Sequence, residues 1–410
     1  MRRFSNILFL ATALPTGAAT AACGIEDGSV RILANDFAAI GAVVERAQEC
    51  AGDGVAVSAN MTTEHKSLQV PALTVDPARY TVAIVASNSV VPLLNEGLVR
   101  PLDDLVARYG GGLQERQLVR IGGEVVAIAF MINAQHLYFR EDVLEEAGVA
   151  PPTSYEEVLD AAEAIRAAGI MDYPLAAPNA GGWNLGAEFV NMYLGMGGSF
   201  FEPGTARPAV AGEDGVRTLE TMKALTEYMA PDHMTVTADE MKNRYVSGNV
   251  AIMNQWGSMA QSIAGEDALA PDIAAQTGLG PAPTVGGGDT PSAALWWDGF
   301  TIASNISDAD AVASFKAMVH AVGSETARAA PEAAAWLMEG YEAPEATRGV
   351  LATAEAGARP YPVSPYMGLM LDALGAELSD YMQGSEGAEQ ALSDVEAAYT
   401  AAAREAGFLN

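Results

Sequence analysis

Along the first hundred positions the chain repeats one order: a short apolar run, a polar loop, then an amphipathic helix. A strand over 29–33 leads through a turn at Asn35 and Asp36 into a helix over 37–49, with Phe37, Ile40, Val43, Val44 and Ala47 on one face. Apolar runs at 55–59 and 82–86 predict two further strands. Each is followed by a polar segment and a helix, the first running through position 72 and the second to position 96. This order predicts an α/β layer whose ligand-facing loops leave the carboxyl ends of the strands. At those ends stand Asn35, Asp36, Glu64, His65, Ser87 and Asn88, which are candidate polar contacts for a ligand.

The pattern then changes. Gly122 and Gly123 mark a turn between two apolar runs, and 125–139 reads as one long extended stretch able to cross from one lobe to another. Asn133 and Gln135 lie on that crossing. Ser154, with Glu157 three residues later, predicts a capping box that opens a helix over 155–168, stopped at Gly169. Beyond 181 the periodicity is mostly helical. Trp183 and Asn184 stand at a helix entrance, helices are expected over 214–228 and 238–247, and a strand over 250–253 ends in Asn254, Gln255 and Trp256. A helix capped by Ser307 and a long helical tail complete the chain, whose 410 residues exceed one ordinary core and predict two lobes.

The amino-terminal end adds a compartment. Arg2 and Arg3, an apolar stretch over 7–14 and small residues over 17–22 follow the plan of a secretory signal occupying 1–22. The apolar part is too short to span a bilayer. Lipidation at Cys23 is disfavoured by Thr20, where such signals carry an apolar residue. The two cysteines, Cys23 and Cys50, flank a strand and a helix that returns along it, so an exported chain is expected to join them in a disulfide rather than leave two free thiols. The formal charge of −30 opposes nucleic acid and anionic lipid as partners.

Catalytic signatures are missing. The four histidines, 65, 136, 233 and 320, are isolated from one another, and there is no metal-ligand spacing, nucleophile elbow or phosphate loop. No cofactor and no metal are expected. Carboxylates are so numerous that their presence carries no catalytic information, and no Tyr-Tyr pair of the kind iron receptors use occurs. Tryptophan is more telling: Trp183, Trp256, Trp296 and Trp297 all sit at predicted element ends beside Asn, Gln, Gly or Asp. Flat aromatic platforms flanked by amides and carboxylates suit a sugar, whose ring has apolar faces and a rim of hydroxyls.

Four stretches in order resemble family 1 extracellular solute-binding proteins, the receptors of carbohydrate-type ABC importers. They are "LYFREDVLEEAGVAPPTSYEEVLDAAEAI", "RYVSGNVAIMNQWGS", "GPAPTVGGG", and the tail "RPYPVSPYMGLM" with "MQGSEGAEQALSDV". The resemblance implies a two-lobe periplasmic-binding-protein fold of α/β class with hinge crossings and a helical C-terminal segment. The lobes would comprise 23–132 with 299–340, and 133–298 with 341–410. Crossings are implied near 131–135, near 298–302 and near Gly340. A periplasmic, monomeric receptor is implied, one that is not an enzyme and that hands a saccharide or polyol to an importer permease. An anionic or non-sugar solute, such as a sugar acid or phosphorylated polyol, is the alternative, and a secreted glycan hydrolase a minor one.

The same resemblance maps the cleft onto the three strand-end loops, Trp256, the 296–299 element, Arg359 and Tyr366. At the third strand the family often has an aspartate where this chain reads "YTVAIVASNS", which makes that wall less acidic. Because neighbouring side chains of a strand face opposite ways, one of Trp296 and Trp297 is expected in the core and the other in the cleft. Trp297 is assigned to the cleft here, because Asp298 and Gly299 follow it at the expected crossing.

Overall fold

A computed structural model describes residues 22–52 and 54–410; the signal segment expected at 1–22 lies, but for its last residue, outside the described residues. Among the described residues eleven strands form two sheets: β1 (Gly28–Ala34), β2 (Val55–Met61), β3 (Val82–Ala86), β4 (Leu118–Ile121), β5 (Glu124–Asn133), β6 (Gln135–Arg140), β7 (Ile252–Trp256), β8 (Thr277–Gly280), β9 (Ala294–Ile302), β10 (Ala335–Trp336) and β11 (Arg359–Pro360). The larger sheet runs β10-β5-β9-β3-β1-β2, with β4 on β5 and β11 on β9; the smaller runs β7-β6-β8.

In the first lobe β1, β2 and β3 are parallel, as the strand-loop-helix order requires, while β9 enters antiparallel between β3 and β5. Helices Ala38–Gln48 and Asp308–Ala321 bury Ile40, Val43 and Phe315 against Val30, Ile32 and Phe300 on one face. Leu73, Val85, Val90 and Leu93 form a separate cluster. Ser307 accepts from the Asp310 amide at 3.1 Å, and the Asp310 carboxylate accepts from the Ser29 amide at 2.8 Å, so the cap also fastens this helix to β1.

The second lobe is more helical than an α/β layer: its sheet has three antiparallel strands, covered mainly by helices. The stretch expected as one strand over 125–139 is two, broken at Ala134. β5 pairs within the large sheet and β6 within the small one, so the ladder changes partners at the break, where the Ala134 carbonyl accepts from the Gly257 amide at 2.9 Å. The strand expected over 250–253 is shifted to Ile252–Trp256, because Trp256 pairs with Gln135; Asn254, Gln255 and Trp256 are strand residues, not loop residues. Ser154 caps helix Tyr155–Ala167 by accepting from the Glu157 amide at 3.2 Å. Glu157 turns back to the Thr153 amide at 2.7 Å instead of to Ser154, so the expected box closes one residue early.

Two glycines matter for the cleft. Gly182, at φ 82°, turns the chain into helix Trp183–Gly195, and its amide donates to the Gly375 carbonyl at 2.9 Å, which locks Trp183 against helix Met367–Gln383. At Gly299 an added Cβ would stand 2.6 Å from the Ile128 carbonyl oxygen, so only glycine lets β9 lie this close to β5 beside Asp298.

Cys23 and Cys50 form a disulfide, with Cα atoms 5.4 Å apart and 27 residues of separation. A loop of that size restricts the unfolded chain by about 3–4 kcal/mol. Cys50→Ala is expected to lower the urea midpoint, and a reductant should lower the wild type to the same value. Identical midpoints with and without the bond would show that it contributes nothing.

Candidate functional site

The carboxyl ends of β1, β2 and β3 and the first-lobe end of β9 bring a group of side chains to the junction of the lobes. Strand β9 supplies the axis. Asp298 lies between Ala86 of β3 and Met131 of β5, and the Trp297 amide donates to the Ser87 hydroxyl at 3.0 Å while the Ser87 amide donates to the Trp297 carbonyl at 3.1 Å. Ser87 is thus fully buried and spent on holding the crossing strand.

From β9 one tryptophan faces each way. Trp296, 6% exposed, joins Trp183 and Trp256, with ring centroids at 6.4 and 5.9 Å, and stacks on Tyr361 at 4.0 Å. Trp183 and Trp256 lie 5.8 Å apart, and Trp183 is 41% exposed. Trp297 instead packs with Leu73, Val85 and Val90 of the first lobe. The alternation holds: Trp296 and Asp298 share a face that meets the aromatic cluster, where Trp296 belongs to the second-lobe core, while Trp297 is half-buried against the first lobe.

Several polar atoms in this region are buried without a partner: the Trp296 indole nitrogen, the Tyr361 and Ser364 hydroxyls, Asn88 Oδ1 and His65 Nδ1. Ser87, Asn88, Val91, Tyr361, Ser364 and Met367 line one small cavity between the lobes. Unsatisfied buried polar groups cost roughly 1–3 kcal/mol each, which is what a ligand carrying hydroxyls would recover. Lys66, the second residue of helix His65–Thr74, places its ammonium 5.8 Å from the centre of the Trp183 ring. Burial pushes the Asp298 carboxyl up to about 7, against the pull of Lys66, and burial holds His65 down at about 4.

The remaining expected residues are placed as follows. Asn35 accepts from the Asp36 amide at 2.9 Å, and Asp36 and Glu64 are exposed on the strand-end loops. Asn133 is tied to Ser258 at 3.2 and 3.1 Å. Asn184 accepts from the Ala238 amide at 3.3 Å, which braces the next helix. Gln135 is buried inside the second lobe, donating to the Glu188 carboxyl and accepting from Asn254 at 3.1 Å. Arg359 donates to the Gly198 carbonyl at 2.8 Å, and Tyr366 donates to the Thr205 carbonyl at 2.7 Å with its ring 4.6 Å from Phe201. Gln135, Arg359 and Tyr366 each commit a polar group to a second-lobe partner.

Lys66, Tyr361 and Ser364 were not singled out from the sequence, and of the two adjacent tryptophans Trp296 was left to the core. The signal for Tyr361 and Ser364 was the proline-rich "RPYPVSP" itself, which holds an extended segment against β9 where Arg359 pairs with Ala294. Lys66 is one of only four lysines.

Two lobes, strands that cross between them and a cleft walled by both define a periplasmic-binding-protein fold. The chain belongs to the bacterial extracellular solute-binding protein family, whose profile matches residues 75–328. It is a family of binding proteins, not enzymes. A probable ABC transporter-binding protein of Deinococcus radiodurans is 29% identical over 183 residues, 41% of this chain and 43% of that protein, so the match spans less than half the relative's length. Among solved structures, a solute-binding protein of Agrobacterium radiobacter K84 in complex with ribitol superposes with a TM-score of 0.76 at 18% identity, covering 91% of this chain and 98% of that one. The maltose-bound MalE3 of T. maritima gives 0.77 at 16% identity, over 91% and 99%. A solute-binding protein of Agrobacterium vitis S4 with bound D-mannitol gives 0.74 at 17% identity, over 93% and 100%.

Proposed function

We propose that this protein is a periplasmic receptor that captures a small polyhydroxylated solute, a saccharide or polyol, between its lobes and delivers it to the permease of an ABC importer. The observation that carries this reading is the set of partnerless buried polar atoms, Trp296 Nε1, Tyr361 OH, Ser364 Oγ and Asn88 Oδ1, contributed beside an aromatic cluster where the two lobes meet. Trp183 and Trp296 would stack on the apolar face of the solute and Asp298 would accept from its hydroxyls, with Asn35, Asp36, Glu64 and His65 on the first-lobe rim. The lobes would be 23–132 with 299–340, and 133–298 with 341–410, moving about the crossings. A solute touching both lobes favours the closed form, and that form is what the permease would engage. Micromolar affinity needs roughly −8 kcal/mol. Export by the signal at 1–22 and a monomeric state belong to the same reading; among the described residues no helix is long and apolar enough to cross a membrane.

The test is a thermal-shift screen of the mature protein against saccharides, polyols and their acids, followed by calorimetry on each hit. At least one such compound is expected to raise the melting temperature, and Trp183→Ala, at a position 41% exposed, is expected to weaken its binding about 10- to 100-fold without changing the unliganded melt. Stabilisation by none of the panel would sink the proposal.

A further inference from the structure

We propose that the solute of this cleft is a polyhydroxylated carboxylate, a sugar acid whose anionic end is met by Lys66. The inference rests on reading the cleft as the solute site and narrows its chemistry. Of the four lysines, Lys223 donates to the Met382 carbonyl, Lys242 pairs with Asp239 at 3.0 Å, and Lys316 donates to the Gly24 carbonyl at 2.6 Å. Lys66 makes no ion pair and no hydrogen bond among the described residues, although the chain carries a net charge of −30. It also stands in the first turn of helix His65–Thr74, where the helix dipole opposes a cation. Ammonium and helix end together present positive potential to the cleft, and the stability of the helix does not account for them. Arg359, the other cation expected there, is turned to Gly198.

The partnerless groups agree with an anion. The buried Trp296 indole N–H can only donate, and the buried Tyr361 and Ser364 hydroxyls can donate, so these groups ask for an acceptor. A carboxylate is acceptor-only, while Asn88 Oδ1 asks for a hydroxyl hydrogen. One molecule bearing both is a sugar acid. Burial lowers Lys66 and the Asp298 charge raises it; because burial also pushes the Asp298 carboxyl up to about 7, it offsets Lys66 only in part near neutral pH.

Matched pairs test this: gluconate against glucitol, galactonate against galactitol, and ribonate against ribitol, each titrated into the full mature protein by calorimetry at low salt. At least one acid is expected to bind 10-fold or more tightly than its alditol, and Lys66→Met should remove most of that ratio while leaving the circular dichroism spectrum unchanged. A role in packing alone would lower both members of the pair equally. If alditols bind as well as every matching acid, or the ratio survives Lys66→Met, the carboxylate proposal fails and the receptor reading stands. If no acid, alditol or neutral sugar binds, both fail.

Discussion

Trp296→Ala is expected to weaken the binding of any solute of the cleft at least 100-fold, whereas Trp297→Ala is expected to leave affinity within about 3-fold. Trp296 is the hub of the aromatic cluster: it stacks on Tyr361 at 4.0 Å and lies within 6.4 Å of both Trp183 and Trp256. Its truncation removes a platform and a buried donor and leaves three rings unsupported. Loss of a central, desolvated aromatic anchor costs 2 kcal/mol or more, and each tenfold in affinity is 1.4 kcal/mol. Trp296 is also core, so the same change should cost about 3–5 kcal/mol of stability. Trp296→Phe separates the two effects in part, because it keeps one aromatic ring in the cluster while removing the indole N–H and the second ring; it should retain the fold and lose about tenfold in affinity. Calorimetry and urea unfolding on the three variants make the comparison. Equal losses from Trp296→Ala and Trp297→Ala would contradict the assignment of faces on β9.

Glu188→Gln is expected to flatten the fall of stability between pH 5 and pH 8. The carboxyl sits inside the second lobe, 8% exposed, and takes a hydrogen bond from Gln135, whose own oxygen accepts from Asn254; Asn254 in turn donates to the Tyr155 hydroxyl at 3.3 Å. Burial pushes Glu188 up to about 8, from an ordinary value of 4.5, and the Gln135 bond offsets only part of that. The folded form therefore holds a proton that the unfolded chain releases. The stability it contributes is complete below pH 4.5 and is lost as pH rises toward 8, by an amount of order 5 kcal/mol at 1.36 kcal/mol per unit.

The histidines act in the opposite direction. Burial holds His65 and His136 at about 4, below their ordinary 6.5, so their contribution is complete above pH 6.5 and is lost as pH falls toward 4. The wild type should thus be most stable near pH 6. The glutamine variant should keep the acid limb and lose most of the decline between pH 6.5 and 8, the part left being that of Asp298, whose raised carboxyl gives a contribution that is lost as pH passes about 7. Urea midpoints at pH 5, 6.5 and 8 decide it, and parallel profiles for the two proteins would overturn the buried-acid account. The same network joins the crossing strands, since Asn254 also reaches the Ser292 carbonyl at 3.4 Å and Thr353 the Gln135 carbonyl at 3.4 Å.

Periodicity alone determined the first-lobe strands, the caps at Ser154 and Ser307 and the pairing of Cys23 with Cys50, because each depends on neighbours a few residues away or on one helix returning along its strand. Large aromatics beside polar residues at element ends were visible in one dimension at Trp183, Trp256 and Trp296, whose rings come together in the structure, while Asp298 at a crossing followed only from the resemblance. Tertiary structure decided the rest. Alternation along β9 requires Trp296 and Trp297 to part, but which of them meets the cleft depends on which face of the sheet the second lobe covers. Arg359 and Tyr366 were mapped to the cleft by the family resemblance, and in the structure Gly198 and Thr205, far away in sequence, take up their polar groups. The break at Ala134 exists because two sheets compete for one extended run, and Lys66 became prominent only once its lack of a partner could be seen. Local pattern sets what each segment can form; the identity of a side chain's distant partners sets which residues remain free for a solute.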